Sequence, residues 1–202
     1  MAQERKKPKS DLLHLFIDHA NIAIGAKHYK TGSMAQSKQH PSLMINVPGL
    51  VDVIEGGREC ITKVVVAGSK MNAGVQAKYR EAGFKVTSVR PDAGEVLVDE
   101  ALHAHILREL LRHKSSLTPA ADGSLVTHTL VLVTGDGNAN HGDDNTSFPE
   151  CVELALTHGW RVEVYAWELT CSGKYKELAK RNSNLSLFYL DPYRDVVCYC
   201  LS

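Results

Sequence analysis

The chain has 202 residues, 44% of them hydrophobic, and its 23 Lys and Arg side chains balance 23 Asp and Glu side chains. This length and apolar content predict one compact domain, and the zero formal charge argues against a uniformly basic nucleic-acid-binding surface while leaving local patches open. No run approaches the roughly 18 apolar residues that span a bilayer, so no membrane partner is expected.

Six short apolar runs are spaced along the chain, and each is predicted to be a β-strand because it is rich in Val, Ile, Leu or aromatic residues. Most of the runs are continuous rather than alternating, which is typical of strands covered on both faces. The predicted strands are 12–18, 61–69, 84–90, 128–136, 161–168 and 185–191.

Helix-like segments separate these strands, at 48–57, 73–83, 95–113, 147–159 and 172–182. Strands that alternate with helices predict the α/β class, with a three-layer α/β/α fold, a mainly parallel central sheet and right-handed crossovers. Two polar segments, 26–46 and 114–127, are predicted to be surface loops. The first follows the opening strand and is a candidate for a mobile loop that contacts substrate.

Acidic residues lie where three predicted elements reach one edge of the sheet. Asp18 ends the first strand, Asp136 ends the fourth, and Asp99 lies early in the 95–113 helix, three residues before Leu102 and on the extension of its apolar stripe. Asp99 is therefore expected to face inward, although taken alone it is also explained as a first-turn acid favoured by the helix dipole. Ligands of open parallel sheets collect at this edge, and three carboxylates there would repel each other without a cation.

Oxygen ligands favour Mg²⁺ or Mn²⁺ over zinc, and such an ion suits phosphodiester hydrolysis because it activates water and neutralises charge on the phosphate. The glycine-rich segment TGDGNANHGDDN, 134–145, matches neither a P-loop nor a G-x-G-x-x-G fingerprint. It is equally typical of a turn in which Asp and Asn bond their own backbone. Asp143 and Asp144 are either solvated loop charges or a completion of the metal site.

Three histidines lie near these elements. His19 directly follows Asp18 and is expected to contact substrate or loop backbone rather than the metal, since adjacent residues diverge where a strand passes into a loop. His103, four residues after Asp99, is a candidate to lean toward the same site, whereas His14 lies inside the first strand and is expected to be structural.

Three short motifs, in this order, resemble those of the NYN domain family, ribonucleases related to the PIN-like nucleases. FIDHANI at 16–22 is similar to F-x-D-x-x-N-(I/L), VDEAL at 98–102 to V-D-x-x-(L/I), and TGDGN at 134–138 to (S/T)-G-D-(S/G)-(D/N). The stretch 147–179 is similar to the continuation in eukaryotic members, so the resemblance spans 12–191.

The resemblance implies a PIN-like α/β/α fold for a single domain over 11–202, after a flexible basic segment at 1–10. It also implies a Mg²⁺- or Mn²⁺-dependent endoribonuclease that hydrolyses single-stranded RNA, in which Asp18, Asp99 and Asp136 are the catalytic metal ligands and Asn21 lies near the metal or the scissile phosphate. Asn138 departs from the pattern, because many relatives carry an aspartate there. The amide removes one negative charge, which predicts weaker metal affinity rather than lost chemistry.

Substrate contacts are expected at four positions. Asn21 and Asn138 would orient phosphate or water, while Ser172 and Lys174, at the start of the last predicted helix, would contact the backbone of a single strand. The basic first ten residues lack the apolar core of a secretory signal, and the five scattered cysteines favour reduced thiols. We therefore expect an intracellular protein, cytoplasmic or nuclear, and a monomer or homodimer.

The alternative function is a catalytically weak or inactive module of the same type that binds RNA or a protein partner. It draws on Asn138, on the lack of a marked basic patch and on the scarcity of aromatic side chains for base stacking, for which Tyr29, Tyr79 and Trp167 are the candidates. A small-molecule phosphohydrolase on a similar sheet ranks last.

Overall fold

The computed structural model describes residues 11–30, 37–68, 71–89, 95–113, 117–119, 125–138 and 146–200. None of the helices in these ranges combines the length and the apolar content that crossing a bilayer requires. The elements follow the chain as β1 (Asp11–Ile17), α1 (His19–Ala26), β2 (His28–Lys30), β3 (Ser37–Gln39), β4 (Leu43–Ile45), α2 (Val47–Glu55), β5 (Cys60–Ala67), α3 (Ala73–Glu81), β6 (Lys85–Ser88), α4 (Glu95–Arg112), β7 (Leu117–Pro119), β8 (Leu125–Val133), α5 (Phe148–Thr157), β9 (Arg161–Ala166), α6 (Gly173–Arg181), β10 (Leu185–Tyr189), a 3₁₀ turn (Asp191–Tyr193), α7 (Arg194–Val197) and β11 (Cys198–Cys200).

The central sheet has the order β10-β9-β8-β1-β5-β6, with every neighbouring pair in that order parallel. The short β7 adds an antiparallel partner beside the first residues of β8. Counted along the chain, the six parallel strands have the order 3-2-1-4-5-6, which is typical of doubly wound sheets. In such sheets the direction of winding reverses between the first and fourth strands, and here that switch point lies between β1 and β8.

Helices cover both faces of this sheet, which confirms the predicted three-layer α/β/α fold. Side chains of β1 alternate between the layers: Leu15 and Ile17 pack with α1, α2 and α3, whereas Phe16 packs with α4, α5 and α6. Both sets are fully buried. Burial of apolar surface on each face stabilises the inner strand β1, which is almost continuously apolar, whereas the edge strands β6 and β10 carry exposed positions. All six predicted parallel strands are present.

Local capping explains where several helices begin. Ser147 and Glu150 form a reciprocal capping box at the start of α5, and the Asn72 side chain accepts the Val75 N–H at the start of α3. These caps satisfy N–H groups that have no partner inside the helix, at a gain of about 1 kcal/mol each. All five predicted helices are present.

The prediction that a loop follows the first strand is wrong, because α1 begins at His19 directly after β1. The predicted loops at 26–46 and 114–127 are wrong in part, since the first contains β2, β3 and β4 and the second contains β7 and the start of β8. Four of these strands, β2, β3, β4 and β7, have only three residues each, which is too short for a periodic pattern in the sequence. The pairing of β4 with β11 joins segments about 150 residues apart in sequence, as Ile45 faces Cys198.

Candidate functional site

A cavity of about 310 Å³ lies at the carboxyl edge of the sheet, beside the switch point, and is lined by residues at the ends of β1, β5 and β8. Asp18 lies between β1 and α1, Asp99 belongs to the first turns of α4, and Asp136 follows β8 by three residues. All three carboxylate-bearing residues line this cavity. The structure therefore brings together the three acidic residues that the sequence nominated.

Asp18 is held in place by hydrogen bonds to both carboxylate oxygens. It is only 5% exposed and caps α1, where Oδ1 accepts the Asn21 N–H at 3.1 Å. The other oxygen, Oδ2, accepts the hydroxyl of Thr134 at 2.9 Å. A buried carboxylate without donors would be costly, so these bonds are what allow Asp18 to be charged at the base of the cavity.

Thr134 is a site residue that sequence reasoning missed. Its fully buried hydroxyl donates to Asp18 and accepts the backbone N–H of Asp136 at 3.1 Å, so one side chain links the ends of β1 and β8. The sequence signal was its position as the first residue of the glycine-rich segment 134–145, directly after β8. Thr134 thus couples the position of one candidate metal ligand to that of another.

The loop from Gly135 to Asn138 is packed tightly against the start of α6. A Cβ at Gly137 would lie 2.4 Å from the Cβ of Ser172, and one at Gly135 would lie 2.7 Å from the carbonyl oxygen of Thr170. No larger residue fits without displacing backbone, so both glycines serve close approach rather than flexibility. The Gly135 N–H also donates to Oδ1 of Asn21 at 2.8 Å.

Asp136 itself is fixed by its backbone and by a turn. Its Oδ1 accepts the Asn138 N–H at 2.9 Å, which is the self-bonding turn considered for this segment, and its carbonyl oxygen accepts the hydroxyl of Tyr175 at 2.5 Å. The side chain nevertheless lines the cavity. Asp143 and Asp144 lie outside the described residues.

Asp99 lies beside the apolar stripe of α4 rather than on it. Val98, Leu102 and Ile106 form the buried stripe, whereas Asp99 is partly exposed. Asp99 lines the cavity, but Val98, four residues before Leu102, continues the buried stripe in its place. Asp99 reaches the cavity from the neighbouring position on the helix.

His19 lines the cavity but bonds away from its acids. Its Nδ1 lies 3.0 Å from the hydroxyl of Tyr79, and the two rings pack edge to face. Burial lowers the pKa of His19 to about 4, so the imidazole is uncharged near neutral pH. Among the described residues, His19 makes no hydrogen bond to loop backbone, and its Nδ1 is paired with the Tyr79 hydroxyl instead.

His103 turns toward α5 and does not line the cavity. Its Nδ1 lies 3.1 Å from the Thr146 hydroxyl and its ring packs against Phe148. Burial lowers the pKa of His103 to about 4, against the opposing pull of Glu150 and Asp136. His103 therefore does not line the acidic cavity, although the Asp136 carboxylate lies close enough to pull its pKa upward against burial.

The remaining candidate substrate residues lie on the rim rather than in the cavity. Asn138 and Lys174 are exposed, and Ser172 caps α6 by accepting the Lys174 N–H at 3.3 Å. The aliphatic stem of Lys174 comes within 3.8 Å of the Cβ position at Gly137. Ser172 and Lys174 therefore border the loop that carries Asp136, while Asn21 lines the cavity itself.

The wall opposite the acids is mainly apolar, which the sequence did not reveal. Its side chains come from α1, β4 and the start of α3, among them Ile24, Met44 and Met71. Tyr79 and Trp167 are fully buried and are unable to stack on a base, contrary to expectation. The side chain of Tyr29 lies outside the described part of the structure.

The donor set at the cavity suits a hard cation. Carboxylate oxygens match Mg²⁺ or Mn²⁺, and Mg²⁺ is usually bound by one or two carboxylates while it keeps several waters. The carboxylate oxygens of the three aspartates do not all lie within 4.8 Å of one another. Among the His, Cys, Asp and Glu residues that the structure describes, only His14, His113 and His128 form a group that meets this distance. The spacing of the aspartates suits an ion that retains water better than one enclosed by protein oxygens.

A scan of the chain against protein-family models finds no match, and neither does a search of curated proteins. Among solved structures, the chain is similar to a protein of unknown function from Vibrio parahaemolyticus, with a TM-score of 0.58 and 16% sequence identity. The match covers 98% of this chain and 100% of the bacterial one. At this identity the similarity supports the fold alone, and it extends over nearly the entire chain.

Proposed function

We propose that this protein is a metal-dependent endoribonuclease that hydrolyses phosphodiester bonds in single-stranded RNA. The observation that carries the proposal is that Asp18, Asp99 and Asp136, from three separate elements, line one cavity beside the switch point of the sheet. Carboxylates that share a cavity repel one another unless a cation lies between them. The resemblance of their surrounding motifs to those of NYN domains supports the same activity.

In this proposal Asp18, Asp99 and Asp136 hold Mg²⁺ or Mn²⁺. A bound ion of this kind supplies an activated water and neutralises the charge that develops on the phosphate oxygens. The chain's own contribution is to keep the ligands in place: Thr134 and the Asn21 N–H hold the Asp18 carboxylate in one orientation.

Asn21 is suited to orient the scissile phosphate. Its side-chain oxygen accepts the Gly135 N–H, which fixes the amide plane and leaves the NH₂ group as the donor for a phosphate oxygen at the cavity. Lys174 and Ser172 border the Asp136 loop from outside, where a charged amine binds backbone phosphates without reading bases. Because the amide of Asn138 carries no charge, the site binds a cation more weakly than one with an aspartate there would. We therefore expect RNA cleavage to require millimolar Mn²⁺.

A second candidate is a catalytically inactive module that binds RNA or a protein partner through the same cavity. The specific observations in its favour are the separation of the three carboxylates and the neutral Asn138, both of which weaken metal binding. The burial of Tyr79 and Trp167 removes two stacking partners and so favours a protein partner within this alternative.

The test is cleavage of end-labelled single-stranded RNA in millimolar Mn²⁺ or in excess chelator. We expect wild type to cut only with the metal, and Asp99→Asn and Asp136→Asn to lose about 100-fold or more in rate, since each removes a charge that holds the ion. Asp52→Asn, at an exposed position of α2 away from the cavity, is the matched control and should cut normally.

Two outcomes contradict the nuclease proposal. If RNA is still cleaved in excess chelator, or if Asp99→Asn and Asp136→Asn cleave as fast as wild type, the activity comes from a contaminating enzyme or another mechanism. RNA binding without cleavage by folded wild type, unaffected by Mn²⁺, would favour the inactive module.

A further inference from the structure

Three histidines meet on the α4, α5 and α6 side of the sheet, away from the acidic cavity. His14 belongs to β1, His128 to β8, and His113 follows the end of α4. One ligand nitrogen from each lies within 4.8 Å of those of the other two. His14 Nε2 and His128 Nδ1 are 2.9 Å apart, and the rings of His113 and His128 stack with centroids at 4.4 Å.

The fold brings these residues together from distant parts of the chain. Alternation along β1 places His14 on the same face as Phe16, and alternation along β8 places His128 with Leu130. The end of α4 then brings His113 over this face. The indole Nε1 of Trp160 donates to the carbonyl oxygen of His113 at 3.1 Å, which fixes the chain beyond the helix.

The burial of this cluster leaves one polar atom unexplained. His14 and His128 are 0% and 1% exposed, and within the described residues His14 Nδ1 has no hydrogen-bond partner. A buried ring nitrogen without a partner has lost the hydrogen bond that water gives it in the unfolded chain.

We propose that His14, His113 and His128 form a binding site for a divalent transition ion of the zinc class. Neutral imidazole nitrogens bind ions of the zinc class better than they bind Mg²⁺, which takes oxygen ligands. A set of three histidines leaves one position of a tetrahedral ion open for water. Tetrahedral Zn–N bonds of about 2.0–2.1 Å place neighbouring nitrogens roughly 3.3 Å apart. With His14 Nε2 and His128 Nδ1 as ligands, this pair would have to open by about half an ångström from its hydrogen-bonded distance of 2.9 Å, and His14 Nδ1 would still lack a partner.

This site is independent of the proposed nuclease centre. It uses nitrogen rather than oxygen ligands and different residues, so neither proposal depends on the other. The competing explanation is a purely structural cluster, in which the histidine rings pack on Trp160, whose ring lies 4.7 Å from that of His14.

The experiment titrates purified wild-type protein with Co²⁺, whose visible absorption is intense in a tetrahedral nitrogen site. We expect one equivalent to bind, Zn²⁺ to displace it, and Zn²⁺ to raise the melting temperature. His113→Gln, at the half-buried ligand, should weaken Co²⁺ binding by about 100-fold or more, because losing a ligand costs more than losing an outer partner. His158→Gln, at another histidine directly after a helix, is the control and should bind normally.

A second measurement tests the proposal even if His113→Gln fails to fold. In wild type with ¹⁵N-labelled histidine, one equivalent of Zn²⁺ should shift three imidazole side chains, and Asp136→Asn should leave those shifts unchanged. A folded wild type with no Co²⁺ band and no imidazole shift at ten equivalents overturns the proposal. Equal Co²⁺ affinity in folded His113→Gln also overturns it, because the ion would then be elsewhere.

Discussion

Replacing Thr134 with valine tests how the ends of β1 and β8 are joined. Valine keeps nearly the same shape but removes the hydroxyl that donates to Asp18 and accepts the Asp136 N–H. A hydrogen bond to a charged group contributes about 1.5–3 kcal/mol and a neutral one about 0.5–1.5 kcal/mol. Because Thr134 is fully buried, water is unable to replace either bond, and we expect unfolding free energy to fall by about 2–4 kcal/mol.

The measurement is denaturant unfolding of Thr134→Val beside Thr134→Ser. Serine keeps the hydroxyl and loses one methyl group, at a cost of about 1 kcal/mol. If cleavage of RNA is observed in wild type, it should fall in the valine variant and survive in the serine variant, since only valine releases Asp18. Equal stability of the two variants would refute the bridging role of this hydroxyl.

Three further variants test other parts of the structure. Gly137→Ala should lose about 1–3 kcal/mol of stability through overlap with Ser172, and the double change Gly137→Ala with Ser172→Gly should recover most of it in denaturant unfolding. His103 has its pKa lowered to about 4 from an ordinary 6.5, so below pH 6.5 the unfolded chain takes up a proton that the folded chain does not. Stability should therefore fall between pH 6.5 and 4, by up to about 1.4 kcal/mol per pH unit for this residue, and less steeply in His103→Gln. Gly49→Ala places a Cβ 2.3 Å from the carbonyl oxygen of Val196 and should raise amide exchange across 194–200; unchanged exchange would contradict this contact.

The parallel sheet was predictable because its inner strands, such as β1, are buried on both faces. In β1, for example, the residues from Leu13 to Ile17 are all buried, and His14 is the only polar residue among them. The helix α1 was missed because Asp18 acts as its cap only once β1 has ended, and Gly25 within it weakens a helical pattern. The β4 and β11 pairing depends on contacts between distant segments, which no local pattern contains.

The acidic cavity was predictable from topology, whereas its supporting contacts were not. Residues after parallel strands meet at one edge, and that rule alone places Asp18 and Asp136 together. The role of Thr134 depends on the direction of one hydroxyl, and the histidine cluster on the register between β1 and β8. These features follow from geometry that a sequence pattern does not fix.

The proposed function depends on a divalent cation bound in the cavity by Asp18, Asp99 and Asp136. The most direct measurement is anomalous scattering from crystals soaked in Mn²⁺. We expect a peak in the cavity within direct coordination distance, roughly 2.0–2.6 Å, of a carboxylate oxygen of Asp18, Asp99 or Asp136. A well-ordered cavity without a peak, or a peak at His14 and its neighbours alone, would contradict it.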